Sequence, residues 1–103
     1  MIATAVRVLF KAAAAREVEL AFATYEETQE GLGFSFLDDL GRIERHLVIN
    51  PALYQRVVGD VRRAVLRRFP YGLFYVVDGN TVSVLACLHL HRDPARWQTL
   101  RSG

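Results

Sequence analysis

Hydrophobic positions alternate at the start of the chain and then change period. Residues 4–10 place apolar side chains at every second position, which predicts a β-strand. Residues 12–29 follow a period of about 3.6 residues, with most glutamates off the apolar stripe, and this pattern predicts an amphipathic helix. The stripe of this first helix consists of Val18, Ala21, Phe22 and Tyr25.

A second amphipathic helix is expected after the glycine-rich break at residues 31–33. Ser35 and Asp38 have the spacing of a capping box, so the helix is expected to open there, with Asp38 and Asp39 in a first turn that favours negative charge. Its apolar stripe consists of Phe36, Leu40, Ile43 and Leu47. The two helices are therefore predicted to form an antiparallel hairpin.

Two further features bound this second helix. Gly41 lies inside it and is tolerable there if its bare backbone lets the first helix approach closely. The pair Asn50-Pro51 ends the helix, because a residue that precedes proline is driven out of the helical region.

The second half of the chain has the period of β-strands. Strands are predicted over residues 61–69, 71–77 and 81–90, and the second and third are joined by an Asp-Gly-Asn turn. A turn or a single helical turn is expected at residues 52–58, and a short helix at residues 93–98, capped by Asp93 with Pro94 at its first position.

The predicted order is thus β-α-α-β-β-β-α. It indicates an α+β fold in which an antiparallel sheet carries an α-helical hairpin packed on one face. The chain of 103 residues is expected to be a single domain spanning 1–103.

Composition narrows the class of protein. Apolar residues make up 51% and charged residues 23%, which is typical of a globular domain and excludes a disordered tail. No apolar run is long enough to cross a membrane, and no secretory signal is recognisable, so a cytoplasmic protein is expected. The single cysteine, Cys87, can close no internal disulfide and is best interpreted as a small buried hydrophobe.

Charge is distributed unevenly along the chain. Residues 1–50 carry five basic and eight acidic side chains, whereas residues 51–103 carry eight arginines against three acids. Twelve of the thirteen basic residues are arginine, a bias that a GC-rich genome also produces. The basic second half favours an acidic partner without identifying it.

Several segments in this order resemble one family of small bacterial proteins. They are Val8-Leu9-Phe10 before an Ala- and Glu-rich helix ending at Tyr25-Glu26, Gly31-Leu32-Gly33-x-x-Phe36, Ile49-Asn50-Pro51, Tyr54, Val61-Arg62-Arg63, Arg68-Phe69-Pro70-Tyr71, Phe74-Tyr75 and His89-x-x-Arg92-Asp93-Pro94-x-x-Trp97. Together they resemble the RelE/ParE superfamily of toxins from type II toxin–antitoxin modules, and most closely its ParE or plasmid stabilisation branch.

This resemblance implies a fold, a partner and a target. It implies a cytoplasmic toxin that forms a hetero-oligomer with a cognate, ParD-like antitoxin. ParE proteins poison DNA gyrase, whereas RelE proteins cut mRNA in the ribosomal A site. Membrane binding is not implied, and nucleic acid would be contacted only through the antitoxin or the target.

The two branches differ in the chemistry that they need. Cleavage through a 2′-hydroxyl requires a general base, cations to hold the phosphate and an acid for the leaving oxygen. RelE-like nucleases supply Lys and Arg with a late Tyr, or a Glu/His/Tyr set, but here the one lysine is Lys11 and no tyrosine follows Tyr75. The resemblance therefore favours a ParE-like toxin that acts by binding, with no catalytic residues.

Two alternatives remain open beside this interpretation. A ribosome-dependent mRNA endonuclease would have to use Arg62, His89 and Arg92. A decayed, non-toxic homologue would only bind its antitoxin, and nothing in the sequence separates it from an active toxin. No cofactor is expected, and His89 with His91 is too small a set to indicate a metal site.

A set of residues is expected to bind the antitoxin or the target. An antitoxin segment that is disordered until bound would enter a groove or add to a sheet edge, and its acids would suit the basic half. The candidates are Tyr54, Arg62, Arg67, Arg68, Tyr71, Arg92 and Trp97. For Arg62, Arg67 and Arg68, which would lie on both faces of the predicted strand, a solvated strand face is an equal interpretation. For Tyr71 a position in the core is the simpler interpretation, and for Trp97 it is packing on the sheet edge.

Overall fold

The structure is a computed structural model that describes residues 5–92 and 96–100. The helices and strands in chain order are β1 (Arg7–Phe10), α1 (Ala12–Thr28), α2 (Leu32–Ile49), β2 (Arg56–Val58), β3 (Val61–Val65), β4 (Tyr71–Asp78), β5 (Thr81–His89) and the 3-10 helix η1 (Arg96–Thr99). The strands form one sheet in the order β1-β5-β4-β3-β2.

The architecture confirms the predicted α+β fold with a helical hairpin on one face of the sheet. Strands β2 to β5 pair antiparallel, but β1 pairs parallel with β5, so the sheet is mixed. The predicted helix at residues 93–98 is described only from Arg96 onward, as the start of η1, and its Asp93 cap and Pro94 lie outside the described residues.

The turn expected at residues 52–58 is wrong in its second half, where the chain forms strand β2. Val58 pairs with Val61 across the two-residue turn Gly59-Asp60, in which Gly59 has a φ of 54°. A Gly-Asp pair between valines is a hairpin signal, and the sequence reasoning overlooked it.

Strand β3 is shorter than expected, because it ends at Val65 rather than at residue 69. Residues 66–70 turn instead, with the backbone N–H of Leu66 donating to the carbonyl of Tyr71, and this brings Phe69 into the core. Arg67 and Arg68 consequently lie in the β3–β4 turn and are exposed, not on alternate faces of a strand.

The capping box predicted for α2 is wrong, because the helix begins at Leu32 and Asp38 and Asp39 lie beyond its first turn. The carboxylate of Glu26, from α1, caps this helix by accepting the backbone N–H groups of Gly31 and Gly33, each at 2.9 Å. These amides have no partner within the helix, so an acid from the preceding helix replaces the usual N-cap side chain.

The close approach of the two helices occurs at Gly33 and not, as expected, at Gly41. A Cβ atom at Gly33 would lie 2.7 Å from the carbonyl oxygen of Phe22 on α1, whereas one at Gly41 would meet only a guanidinium nitrogen of Arg45 at 3.4 Å. Of these two glycines, only Gly33 is required for the close approach of the helices.

Apolar side chains fill both faces of the sheet. The main core lies between the sheet and the helical hairpin, and its largest fully buried members on these elements are Phe36, Ile43, Leu47, Leu73 and Tyr75. A second core on the opposite face contains Val61, Phe74, Val76, Ala86 and Leu88, packed against side chains of β2 and η1. The sheet face opposite the hairpin, for which the sequence predicts no covering helix, is therefore partly covered.

One extra residue in β5 decides which side chains face which core. Phe74 pairs with Ala86 and Tyr75 with Val84, so Leu85 has no partner on β4 and forms a β-bulge. Because successive strand residues point to opposite faces, the bulge exchanges the two faces for the rest of β5.

Two glycine substitutions test the helix crossing. Gly33→Ala is expected to destabilise the fold by about 1–3 kcal/mol, because the new methyl group overlaps backbone that cannot move away cheaply. Gly41→Ala is the matched control and is expected to be neutral or to stabilise by up to about 1 kcal/mol, because alanine favours helix and meets only a flexible side chain. Urea unfolding midpoints measure both, and equal effects would contradict this assignment.

Candidate functional site

A cleft opens between α1 and the end of β5, past the point where β1 stops pairing. This α1–β5 cleft has a volume of about 220 Å³. It is lined by Glu17, Leu20, Ala21, Thr24, Tyr71, Cys87, Leu88, His89, Arg92 and Arg96. Three of the residues expected from the sequence, Tyr71, His89 and Arg92, thus share one site.

Glu17 connects three parts of this cleft. One carboxylate oxygen accepts the backbone N–H of Cys87 at 2.9 Å, and the other lies 3.4 Å from a guanidinium nitrogen of Arg96. Strand β1 pairs with β5 only as far as Val84, so Glu17 supplies the acceptor that a longer β1 would have provided. The same side chain attaches η1 to α1.

His89 holds the turn that follows β5. Its Nδ1 atom accepts the backbone N–H groups of His91 and Arg92, both at 3.1 Å, which places the proton of the neutral ring on Nε2. The ring also packs edge-on against Tyr71, with centroids 5.1 Å apart. If Nδ1 acted as a proton acceptor, it would have to release both amides.

Arg62 lies away from this cleft. It is opposite Tyr75 on β4, whereas His89 is opposite Tyr71, a separation of four residues or about 13 Å along the strand. Its guanidinium donates to the carbonyls of Tyr54 at 2.6 Å and Ala52 at 3.2 Å. The three residues that a nuclease would need are therefore not brought together.

Two tyrosines secure the same loop as Arg62. The Tyr75 hydroxyl donates to the carbonyl of Pro51 at 2.9 Å, and burial raises the pKa of Tyr75 to about 12, so this donor keeps its proton. The Tyr54 hydroxyl shares a hydrogen bond with Nδ1 of His46 at 3.0 Å. Tyr54 is half-buried and packs on the main core.

Trp97 covers the second core. Its ring stacks on Phe74 with centroids 5.9 Å apart and planes 13° from parallel, and the guanidinium of Arg63 lies 5.7 Å above it. The expected contact with the sheet is present, on its second face rather than at its edge. Trp97 thereby fastens η1 across the sheet.

A second depression lies between α2 and the β3–β4 turn, with a volume of about 240 Å³. Four arginines surround it, and we call them the basic patch: Arg42, Arg45, Arg67 and Arg68. Ser35, Asp38 and Asp39 complete its lining. The patch brings together two arginines expected from the sequence and two that were not singled out.

Asp39 is the anchor of this region and was not identified from the sequence as more than a dipole partner. One carboxylate oxygen accepts the guanidinium of Arg42 at 2.9 Å, and the other accepts the backbone N–H of Arg68 at 2.9 Å. Its side chain is 3% exposed. Asp39 directly precedes Leu40, a member of the apolar stripe of α2, and this position could have indicated that Asp39 is buried.

Cys87 is buried and chemically quiet. Burial, with a smaller contribution from the nearby Glu17 carboxylate, raises the pKa of the Cys87 thiol from 9.0 to about 12. The thiolate is the reactive form, so this cysteine is not a nucleophile near neutral pH.

Two other kinds of site are absent from residues 5–92 and 96–100. No three His, Cys, Asp or Glu side chains of the described residues are grouped as a metal site would need. Neither helix in this part of the chain combines the length and the apolar character of a membrane span.

Comparisons with known proteins support the fold. No model of a known protein family matches the sequence, and no curated protein matches it. Among solved structures, the chain is similar to a chain of the chromosomal ParDE toxin–antitoxin system from P. aeruginosa, with a TM-score of 0.67 and 19% identity. The alignment covers 82% of this chain and 95% of that chain. The fold implied by the sequence resemblance is thereby confirmed.

Removal of the buried carboxylate tests the anchor. Asp39→Ala is expected to cost about 2–4 kcal/mol of stability, because it leaves the Arg42 guanidinium and the Arg68 amide without an acceptor. The neighbouring exposed residue provides a control, and Asp38→Ala is expected to change stability by no more than about 0.5 kcal/mol. Chemical denaturation measures both, and a stable Asp39→Ala protein would show that the anchor is dispensable.

The raised pKa of Cys87 gives a prediction about pH. Folded protein should react with a thiol reagent at pH 8 far more slowly than protein unfolded in guanidinium, because the thiolate is absent from the native state. As pH rises from 9 towards 12, only the unfolded chain releases the proton, so stability should fall across this range. Rapid labelling of the native protein would contradict the burial of this side chain.

Proposed function

We propose that this chain is the toxin of a type II toxin–antitoxin pair and that it is neutralised by direct binding of a cognate, ParD-like antitoxin. The observation that carries the proposal is the likeness of its fold to the ParDE chain, which extends over 95% of that chain. The family resemblance of segments such as Arg68-Phe69-Pro70-Tyr71 supports it independently.

We further propose that the toxin is ParE-like and acts in the cytoplasm on DNA gyrase by binding, without breaking a bond. The state of the candidate catalytic groups supports this choice over a nuclease. Arg62 is engaged with two carbonyls, and Nδ1 of His89 accepts two amides. Lys11 lies directly before α1 and is not among the residues that line the cleft.

The residues proposed to contact the antitoxin or gyrase divide into two groups. Arg67, Arg68 and Arg92 have exposed side chains that a partner can reach directly. Tyr54, Arg62, Tyr71 and Trp97 are engaged in packing or loop contacts and would shape the binding surface. Alanine substitution in the first group should weaken partner binding with little loss of stability.

Induced expression in a bacterial host separates the proposed action from the alternatives. Wild-type protein is expected to arrest growth with filamentation and a DNA damage response while mRNA stays intact. The His89→Ala variant provides a second measurement, since no RNA cleavage should be lost with it. His91→Ala is its matched control on the same turn.

Two other outcomes of this experiment would each support one of the alternative functions. Ribosome-dependent mRNA cleavage that His89→Ala abolishes and His91→Ala retains would overturn the ParE-like proposal and indicate a nuclease. Soluble, folded protein without any toxicity would contradict an active toxin and indicate a decayed homologue that only binds its antitoxin.

A further inference from the structure

The basic patch holds three exposed arginines, of which Arg45 interacts electrostatically with the neighbouring Glu44 carboxylate. Arg45, Arg67 and Arg68 are exposed, and within residues 5–92 and 96–100 no ion pair within 4.0 Å involves them. Arg42 is instead paired with Asp39. Side chains of the same charge repel one another, so a fold that brings these arginines together creates a local positive potential that attracts an anion.

The buried carboxylate of Asp39 connects the two elements that form the patch. Asp39 binds Arg42 on its own helix and the backbone of Arg68 in the β3–β4 turn, so α2 and the turn hold a constant spacing. The Arg45 side chain lies back over Gly41, with a guanidinium nitrogen 3.4 Å from where a Cβ would be. A site organised in advance loses less entropy on binding than a flexible one.

We propose that the basic patch is the docking surface for an acidic peptide segment of the partner protein, an inference that rests on the proposed toxin function for the identity of that partner. The arginine side chains present planar forks that match carboxylates in a bidentate manner. Four arginines and two aspartates leave a formal surplus of two positive charges around the depression, which suits a short run of glutamates or aspartates.

The composition of the patch favours a peptide over nucleic acid. Asp38 is exposed and lines the same depression, where it would repel a continuous phosphate backbone but can be avoided by acids spaced along a peptide. The whole chain carries a formal charge of only +2, without the extended basic surface typical of nucleic-acid binding.

The surface next to the patch indicates which residues the ligand should carry after its acids. Ile49 lies one helical turn beyond Arg45 and is 82% exposed, and its neighbour Val48 is half-exposed. Exposed apolar side chains beside a charged cluster are typical of protein contact surfaces. The expected ligand therefore has a run of acidic residues and then apolar ones.

The test uses the whole 103-residue chain and a defined probe. A fluorescently labelled peptide with four glutamates followed by two leucines is titrated with wild-type protein and with Arg45→Glu/Arg67→Glu, and anisotropy reports binding. The matched control is Arg7→Glu/Arg16→Glu, which makes the same change in net charge at exposed arginines on β1 and α1. A milder variant, Arg67→Gln, provides a second measurement with less perturbation, and thermal melting confirms that each variant is folded.

We expect the patch variant to bind the peptide at least about tenfold more weakly than wild type, and the control to lose less than about threefold. Arg67→Gln should give an intermediate loss. Equal losses in patch and control variants would show that net charge alone attracts the peptide and would overturn the proposal, as would absence of binding to wild type. A single-stranded oligonucleotide that binds the patch more tightly than the peptide would overturn it in favour of nucleic acid.

This test is independent of toxicity. If the protein is not toxic but binds the peptide at the patch, the result would support the docking surface and contradict the proposed toxin activity. If the protein causes toxicity with filamentation but its patch binds no peptide, the result would support the proposed toxin activity and contradict the docking surface.

Discussion

The fold and its cleft depend on a single extra residue in β5. Leu85 has no partner on β4, and the two faces of the strand are exchanged after it. Val82 and Val84 face the helices before the bulge, while Cys87 faces them after it. In a regular strand, Cys87 and His89 would point to the second core and Leu88 to the helices. The α1–β5 cleft exists because the bulge turns these residues towards α1.

Carboxylates from the helices accept backbone N–H groups at places where regular pairing stops. Glu26 caps the start of α2, Glu17 takes the amide of Cys87 beyond the end of β1, and Asp39 takes the amide of Arg68 in the β3–β4 turn. Buried backbone donors need a partner, and hydrogen bonds to a charged acceptor are among the stronger ones in proteins. These three acids connect the hairpin to itself and to the sheet, and two of them border the candidate binding regions.

Local patterns predicted most of the fold, but not the contacts that build its sites. The stripe of Phe36, Leu40, Ile43 and Leu47 identified the inner face of α2 because helix periodicity is a local property. The predicted start of α2 was wrong because the side chain that caps this helix, Glu26, belongs to another helix. A contact between separate elements leaves no fixed spacing in the sequence.

The same limit applies to the candidate site. The sequence identified His89 and Arg92 from a motif, and the structure places both at one cleft. Arg67 and Arg68 were assigned to a strand predicted to run to residue 69, but β3 ends at Val65 and both residues lie in the turn that follows. The role of Asp39 depends on Arg68, which is 29 residues away in the sequence. The bulge at Leu85 is likewise visible only in the register between β4 and β5.

The proposal that this chain acts by binding draws on three features: a fold similar to that of a ParDE chain, cleft groups engaged in holding turns, and a cluster of exposed arginines. The most direct measurement is plasmid supercoiling by DNA gyrase in the presence of rising concentrations of the purified 103-residue chain. The account predicts progressive loss of supercoiling activity, with ribosome-bound mRNA left intact in a parallel reaction. Full gyrase activity at a large excess of folded protein, together with cleavage of that mRNA, would contradict it.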